Sequence, residues 1–236
     1  MVTQAIILAG GKGERLRPLT EDRHKGMIEI AGKPMHLWQI EWLKAHGITD
    51  FILAVGYKHE VTEEFFGNGS KFGVKIKYSV EDKLLGSAGA IRKALNETQL
   101  NQPFIVTNAD IITQFNLTKM IDQHIKSDGL ITMFLTPLIS PWGVVDTDSE
   151  NNIAGFREKP RLDYWINGGI YIFNPQTKDH LPQEGSLEYD VFPKIPQNKF
   201  LAFKDEGFWK AVDVVKDKNE AEKFLESADN KLRGNL

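Results

Sequence analysis

The sequence predicts an α/β fold: a mainly parallel sheet with helices on both faces, followed by a β-rich subregion. Three observations carry this. Short apolar runs alternate with helix-like segments over the first half of the 236 residues, the pattern of repeated strand–helix–strand units. The first apolar run opens directly into a glycine-rich turn. After about residue 136 the helix-like segments give way to β-like runs broken by Pro, Gly and Asn.

Taken in order, the apolar residues Ala5–Leu8 form the first strand and run into the glycine turn. A helix is expected from Pro34 to about His46. Pro34 suits a first helical position, Gly47 suits the position just past the end, and Met35, Trp38, Trp42 and Leu43 share one face. Phe51–Val55 reads as a strand, Val61–Phe66 as a short helix ended by Gly67, and Val74–Tyr78 as an alternating strand. Ala88–Asn96 reads as helix, Phe104–Thr107 as a buried strand ending near Asn108-Ala109-Asp110, Leu117–Lys126 as helix and Leu130–Leu135 as strand. Beyond residue 136, β-like runs are expected at Gly143–Asp146, Ile153–Phe156 and Trp165–Phe173. A final helix is expected at about Lys218–Leu225, and the polar tail after Glu226 is expected to be loosely held. No internal repeat or linker divides residues 1–236, so they are read as one domain with lobes at 1–135 and 136–225 and a tail at 226–236.

Bulk properties narrow the function. With 41% hydrophobic and 26% charged residues the chain is globular rather than disordered, and its length supports a substantial core. A net charge of −3 gives no general basic surface for nucleic acid or membrane. The absence of cysteine excludes disulfides, thiolate zinc sites and a cysteine nucleophile. No charged-then-apolar leader opens the chain and no apolar run approaches ~18 residues, so a cytoplasmic protein is expected. Homo-oligomerisation is allowed but not specified.

The most informative stretch is Leu8-Ala9-Gly10-Gly11-Lys12-Gly13-Glu14-Arg15-Leu16-Arg17-Pro18-Leu19-Thr20. Glycines let backbone N–H groups approach phosphates because no Cβ intervenes. Arg15 adds a planar, permanently charged fork that matches phosphate oxygens. Two familiar phosphate loops do not fit. The P-loop spacing is absent. A dinucleotide loop needs a third glycine where Leu16 stands, and an acidic residue at the end of the next strand, where Gly56-Tyr57 stand instead.

What remains resembles the sugar-1-phosphate nucleotidyltransferase family, whose opening motif runs G-G-x-G-T-R-L-x-P-L-T, with Glu14 in place of Thr. The resemblance extends to about Leu225. His24-Lys25-Gly26-Met27 matches a Pro-Lys-Pro-Met segment with both prolines missing, which suggests a looser loop. Glu81 and Leu85-Gly86-Ser87-Ala88-Gly89 match E-x-x-x-L-G-T-A-G, with Ser87 expected to cap a helix. Asn108-Ala109-Asp110, Trp142-Gly143, Glu158-Lys159-Pro160 and Asn167-Gly168-Gly169 follow in family order. Gly207-Phe208-Trp209-Lys210-Ala211-Val212-Asp213 resembles the glucose-1-phosphate cytidylyltransferase branch, whereas the length and Asn167-Gly168-Gly169 suit short mannose- or heptose-1-phosphate guanylyltransferases.

The resemblance implies a Rossmann-like, GT-A-like nucleotidyltransferase fold with a nucleotide lobe and a sugar-phosphate lobe. It implies condensation of an NTP with a sugar 1-phosphate to give an NDP-sugar and pyrophosphate. Leu8, Ala9, Gly10, Gly11, Gly13, Arg15, Lys25, Glu81, Gly86 and Ser87 would hold the nucleotide. Gly89, Asn108, Gly143, Glu158, Lys159, Asn167 and Gly168 would hold the acceptor. Arg15, Lys25 and Asp110 would serve catalysis, and Asp110 with Asp213 would bind Mg²⁺, a cation that takes one or two carboxylates plus phosphate oxygens. Two other readings remain open: a non-catalytic nucleotide-sugar-binding regulator, and a cytidylyltransferase acting on a phosphocholine-like acceptor. The motifs specify neither base nor sugar.

Overall fold

A computed structural model describes residues 2–98 and 100–233, with side chains through Ser227. The first strand, β1 (Gln4–Ala9), is followed by a single 3₁₀ turn at Glu14–Leu16 and another at Lys25–Met27. A two-residue hairpin, β2 (Glu29–Ile30) and β3 (Lys33–Pro34), leads into α1 (Met35–Ala45). Then come β4 (Asp50–Val55), α2 (His59–Phe66), β5 (Lys75–Val80) and α3 (Gly86–Glu97). They are followed by β6 (Phe104–Asn108), β7 (Ile111–Thr113), α4 (Leu117–Ile125) and β8 (Ile131–Ile139). The second half adds β9 (Val144–Thr147), β10 (Ile153–Arg157), β11 (Arg161–Phe173), β12 (Phe200–Lys204), β13 (Trp209–Ala211) and α5 (Val215–Arg233).

The central sheet has the order β12-β8-β11-β6-β1-β4-β5. Four of its pairings are parallel, and β11 runs antiparallel to both neighbours. Side chains alternate between two cores, as a period of two requires. Ala5, Ile7, Leu53, Val55, Ile105 and Ile172 pack under α1, α2 and α4. Ile6, Ile52, Ala54, Val106, Tyr171 and Phe173 pack under α3 and the 181–195 segment. Both faces are therefore covered, and ligands are left the carboxyl edge of the strands.

Several expectations need correction. Ser87 does not cap α3: the helix already begins at Gly86 after Leu85, and the Ser87 hydroxyl accepts the N–H of Leu187 (2.8 Å). The pair β7–β13 was not legible, because three residues per strand are too few to show a period, and the edge strand β12 was not read from the sequence either. The final helix starts earlier than expected and runs on through Arg233, so the tail is helical over most of its length. Ala, Lys, Leu and Arg propagate a helix beyond Leu225, the last buried residue among those whose side chains are described. Residues 234–236 of the expected tail lie outside the described residues.

A third, smaller core fastens the C-terminal segment to this edge. Val212, Ala221 and Leu225 bury against Ile30, Met35 and Ile112. β13 pairs antiparallel with β7, with Ala211 opposite Ile111, and the Val212 N–H donates to the Asp110 carbonyl (2.8 Å). That one pairing brings residue 213 beside residue 110.

Candidate active site

The glycine turn and Asp110 meet because β1 and β6 end side by side, with Leu8 opposite Asn108. The Ala109 N–H donates to the Leu8 carbonyl (3.1 Å), and Ala9 is fully buried. Gly13 adopts a left-handed conformation (φ +62°) at the start of the Glu14–Leu16 turn, a geometry natural to glycine. The Thr20 hydroxyl donates to the Gly13 carbonyl (2.9 Å), and the Tyr57 hydroxyl ties down the carbonyls of Thr20 and Glu21. Gly10 lets the turn approach the Glu81 carboxylate, which a Cβ would meet at 2.9 Å. Burial raises the Glu81 pKa above the ordinary carboxylate value, an effect opposed by the Leu85 N–H that points at it. Gly11 has open space around it.

At the mouth of this turn four charges converge. The Arg15 guanidinium donates to Asp213 Oδ1 (2.7 Å). The Lys25 ammonium pairs with Asp110 and lies 3.8 Å from Asp213 Oδ1. The Lys25–Asp110 pair is mostly shielded from solvent, whereas Arg15 is exposed. Asp213 is itself held in place: Asp217 accepts the N–H groups of Asp213 (3.2 Å) and Val214 (3.1 Å). Asp217 also pairs with Lys210 (3.1 Å). Neither Asp217 nor Lys210 was assigned a role from sequence, although Lys210 lies in the stretch that supplies Asp213 and Asp217 follows Asp213 by four residues. A cleft of about 490 Å³ opens here, lined by Gly11, Gly13, Arg15, Lys25, Leu84 and Asp213.

Among the described residues no group of three or more His, Cys, Asp or Glu side chains could hold a metal ion unaided. Two carboxylates converging on one ammonium fit a cation that draws its other ligands from phosphate and water, as Mg²⁺ does.

The remaining expected residues fall into three sets. Gly86, Ser87 and Gly89 face the 183–187 segment: a Cβ on Gly86 would meet the Gly185 carbonyl at 2.3 Å, and one on Gly89 the Gln183 carbonyl at 2.5 Å. Asn108, Asn167 and Gly168 gather around Gly169. The Asn108 side chain lies against Gly169. Asn167 accepts the Gly169 N–H (2.9 Å) and donates to the Tyr171 hydroxyl (2.8 Å). Gly168 packs against the Phe134 ring and accepts a hydrogen bond from the Trp209 indole (2.8 Å). Gly143, Glu158 and Lys159 form a separate set at the β9–β10 hairpin. Lys159 has a left-handed backbone (φ +45°), a strained conformation for a lysine. Its ammonium is 3.6 Å from Glu158. Among the described residues no hydrogen bond or ion pair joins this set to Arg15, Lys25, Asp110 or Asp213.

The loop around Lys25 is not loose. His24 and His36 are buried and stacked, with ring centroids 5.4 Å apart and 9° between planes.

The profile of the nucleotidyl transferase family matches residues 4–228. The chain belongs to that family. It is 38% identical over 224 residues to the mannose-1-phosphate guanyltransferase of Saccharomyces cerevisiae, and 39% identical over 225 residues to mannose-1-phosphate guanylyltransferase catalytic subunit beta of Drosophila melanogaster. Each alignment covers 91% of this chain, but only 62% and 60% of those proteins, so the chain spans about three fifths of their length. Among solved structures it is similar to HddC from Yersinia pseudotuberculosis complexed with GMP-PN. There the TM-score is 0.76 with 26% identity, covering 95% of this chain and all of that one. UDP-glucose pyrophosphorylase complexed with UDP-glucose shares the fold at a TM-score of 0.75 and 19% identity, covering 97% of this chain and 100% of that one. The mixed sheet is thus the GT-A-like nucleotidyltransferase fold expected from the sequence.

Proposed function

We propose that this chain condenses an NTP with a sugar 1-phosphate, releasing pyrophosphate and forming an NDP-sugar. GTP and mannose 1-phosphate are the first substrates to try, given the guanylyltransferase relatives and the GMP-PN complex of HddC. The observation that carries the reading is the convergence of Lys25, Asp110 and Asp213 beside the Gly10–Arg15 turn.

The chemistry asks little of the protein as a base. A phosphate monoester has a second pKa of about 6 and is mostly a dianion at neutral pH. Its oxygen forms a bond to the α-phosphorus as the bond from the α-phosphorus to the bridging oxygen breaks, and pyrophosphate leaves with that electron pair. Alignment and charge neutralisation remain. The open backbone around Gly11 and the exposed Arg15 hold the triphosphate. Lys25 and Arg15 neutralise the two carboxylates in this structure and are placed to turn toward phosphate oxygens. Asp110 and Asp213 would hold a divalent cation, Mg²⁺ by its ligand preference, which when bound supplies Lewis-acid stabilisation of the phosphoryl oxygens. Glu158 and Lys159 would place the acceptor, Glu158 by sugar hydroxyls and Lys159 by phosphate. Retention of both carboxylates in one cluster argues against a non-catalytic role.

The test is a matrix of GTP, CTP, UTP, dTTP and ATP against several sugar 1-phosphates, read as pyrophosphate release with Mg²⁺ present. Sugar-dependent release with at least one NTP supports the proposal. No release from any pair by folded protein overturns it.

A further inference from the structure

We propose that His24, Gly26 and His36 form a lock that positions Lys25. Lys25 opens the 3₁₀ turn Lys25–Met27, and His24 caps that turn: its Nδ1 accepts the Gly26 N–H (3.0 Å). The cap fixes the ring as the neutral tautomer with its proton on Nε2. The Met27 N–H closes the turn on the His24 carbonyl (2.8 Å).

His36, from the first turn of α1, stacks on His24 and takes the space a side chain at residue 26 would need. A Cβ on Gly26 would meet His36 Nε2 at 2.1 Å and its neighbouring ring carbons at 2.3 and 2.4 Å. The His36 ring is itself packed edge-on against the Phe66 ring, with centroids 6.3 Å apart and 70° between planes. Gly26 has no left-handed backbone requirement. Its lack of a side chain is explained by His36 alone.

Burial keeps both imidazoles neutral, holding His24 well below its ordinary pKa and His36 at about 4. The pair therefore adds no charge beside Lys25 at neutral pH. It acts through Lys25 by shape and one hydrogen bond, so its members are positioning residues. Where the resemblance led to expect prolines stiffening this segment, the chain uses a stacked histidine pair and a glycine that must stay small.

The inference rests on the proposed activity for its catalytic consequence, and its test separates the two. Wild type, Gly26→Ala, His36→Ala and Gly26→Ala/His36→Ala are compared by hydrogen exchange over residues 24–28 and by steady-state kinetics. In Gly26→Ala the added methyl drives the turn off His36. Exchange there should accelerate and kcat should fall by about tenfold or more, since a small misplacement of a catalytic group is costly. His36→Ala lowers kcat in the wild-type background, because the stack is lost, yet raises it in the Gly26→Ala background, because the clash is relieved. That reversal of sign is the signature of a lock and not of general destabilisation. His24→Asn retains an acceptor for the Gly26 N–H and should outperform His24→Ala in kcat at equal thermal stability. Equal exchange over 24–28 in all four proteins overturns the lock, whether or not the wild type is active. Altered exchange with unchanged kcat in an active enzyme overturns its action on Lys25. An inactive wild type whose exchange pattern follows the lock overturns the proposed activity and leaves the lock standing.

Discussion

Replacing Gly89 by alanine separates two roles that the Gly86–Gly89 segment could play. In α3 an alanine would by itself gain about 1 kcal/mol of helix propensity over glycine. Here its Cβ would meet the Gln183 carbonyl at 2.5 Å and Leu85 Cβ at 2.9 Å. The first is backbone and cannot rotate away, so the 183–187 segment must move. Overpacking of this kind costs about 1–3 kcal/mol. The displaced segment also carries three hydrogen bonds to α3 and Leu85: Ala88 N–H to Gly185 O (3.0 Å), Gly185 N–H to Leu85 O (2.9 Å) and Leu187 N–H to the Ser87 hydroxyl (2.8 Å). Weakening these adds roughly 0.5–1.5 kcal/mol each. With the helix-propensity gain subtracted, the net destabilisation is about 1.5–6.5 kcal/mol, which for a chain of this size lowers Tm by about 3–25 °C. Gly11→Ala is the matched control, because a Cβ there meets nothing within 4 Å. It should leave Tm within about 2 °C of wild type and raise the KM for NTP if the bare backbone at Gly11 serves phosphate. Calorimetry and kinetics with both substrates on both variants decide the matter. A Gly89→Ala protein with unchanged Tm and a raised KM for the sugar phosphate would refute the packing argument.

Arg15→Ala should raise the KM for NTP by about tenfold, the worth of one charge-assisted contact, and leave the sugar phosphate KM unchanged; equal rises for both substrates would contradict its placement at the triphosphate. Lys159→Ala should raise the KM for every sugar 1-phosphate tested far more than that for NTP, and unchanged acceptor kinetics would show that the acceptor phosphate is held elsewhere. Stability should fall on acidification. His24, His36 and His124 are buried with depressed pKa values, His36 and His124 at about 4 against 6.5 unfolded. The unfolded chain therefore binds more protons between these values, so stability is full above about pH 6.5 and is lost as pH falls toward 4. For the fully buried His36 the loss by pH 4 is about 3 kcal/mol. A Tm that stays flat from pH 7 to pH 5 would contradict this.

The sheet and the glycine turn beside Asp110 were legible because their signals are local. Ala5–Leu8 is apolar without interruption and the glycines follow it directly. Asp110 stands at the end of a strand whose place beside β1 follows from the alternation of strands and helices. What escaped depends on contacts between distant segments. Gly86 and Gly89 read from sequence as recognition glycines, and the sequence gives no sign of the 183–187 backbone that lies against them. Ser87 has the chemistry of a cap, but its hydroxyl is taken by Leu187. Asp213 was found by motif alone, since the β7–β13 pairing that delivers it involves three residues per strand. The loss of prolines beside Lys25 suggested looseness because nothing in a linear reading sets His36 on top of His24. Glu158 and Lys159 were assigned from the motif, but a linear reading does not show that they sit on a hairpin with no hydrogen bond or ion pair to the charged cluster among the described residues.

The most direct test of the account is the turnover of Asp110→Asn, measured as pyrophosphate release with the best NTP and sugar 1-phosphate pair from the substrate matrix. Asparagine keeps the shape of the side chain and removes the charge that faces Lys25 and would face a divalent cation. The variant should fold cooperatively and its turnover should fall by about a hundredfold or more, the equivalent of several kcal/mol of lost transition-state stabilisation. An Asp110→Asn protein that turns over at the wild-type rate, with its divalent-cation requirement intact, would contradict this.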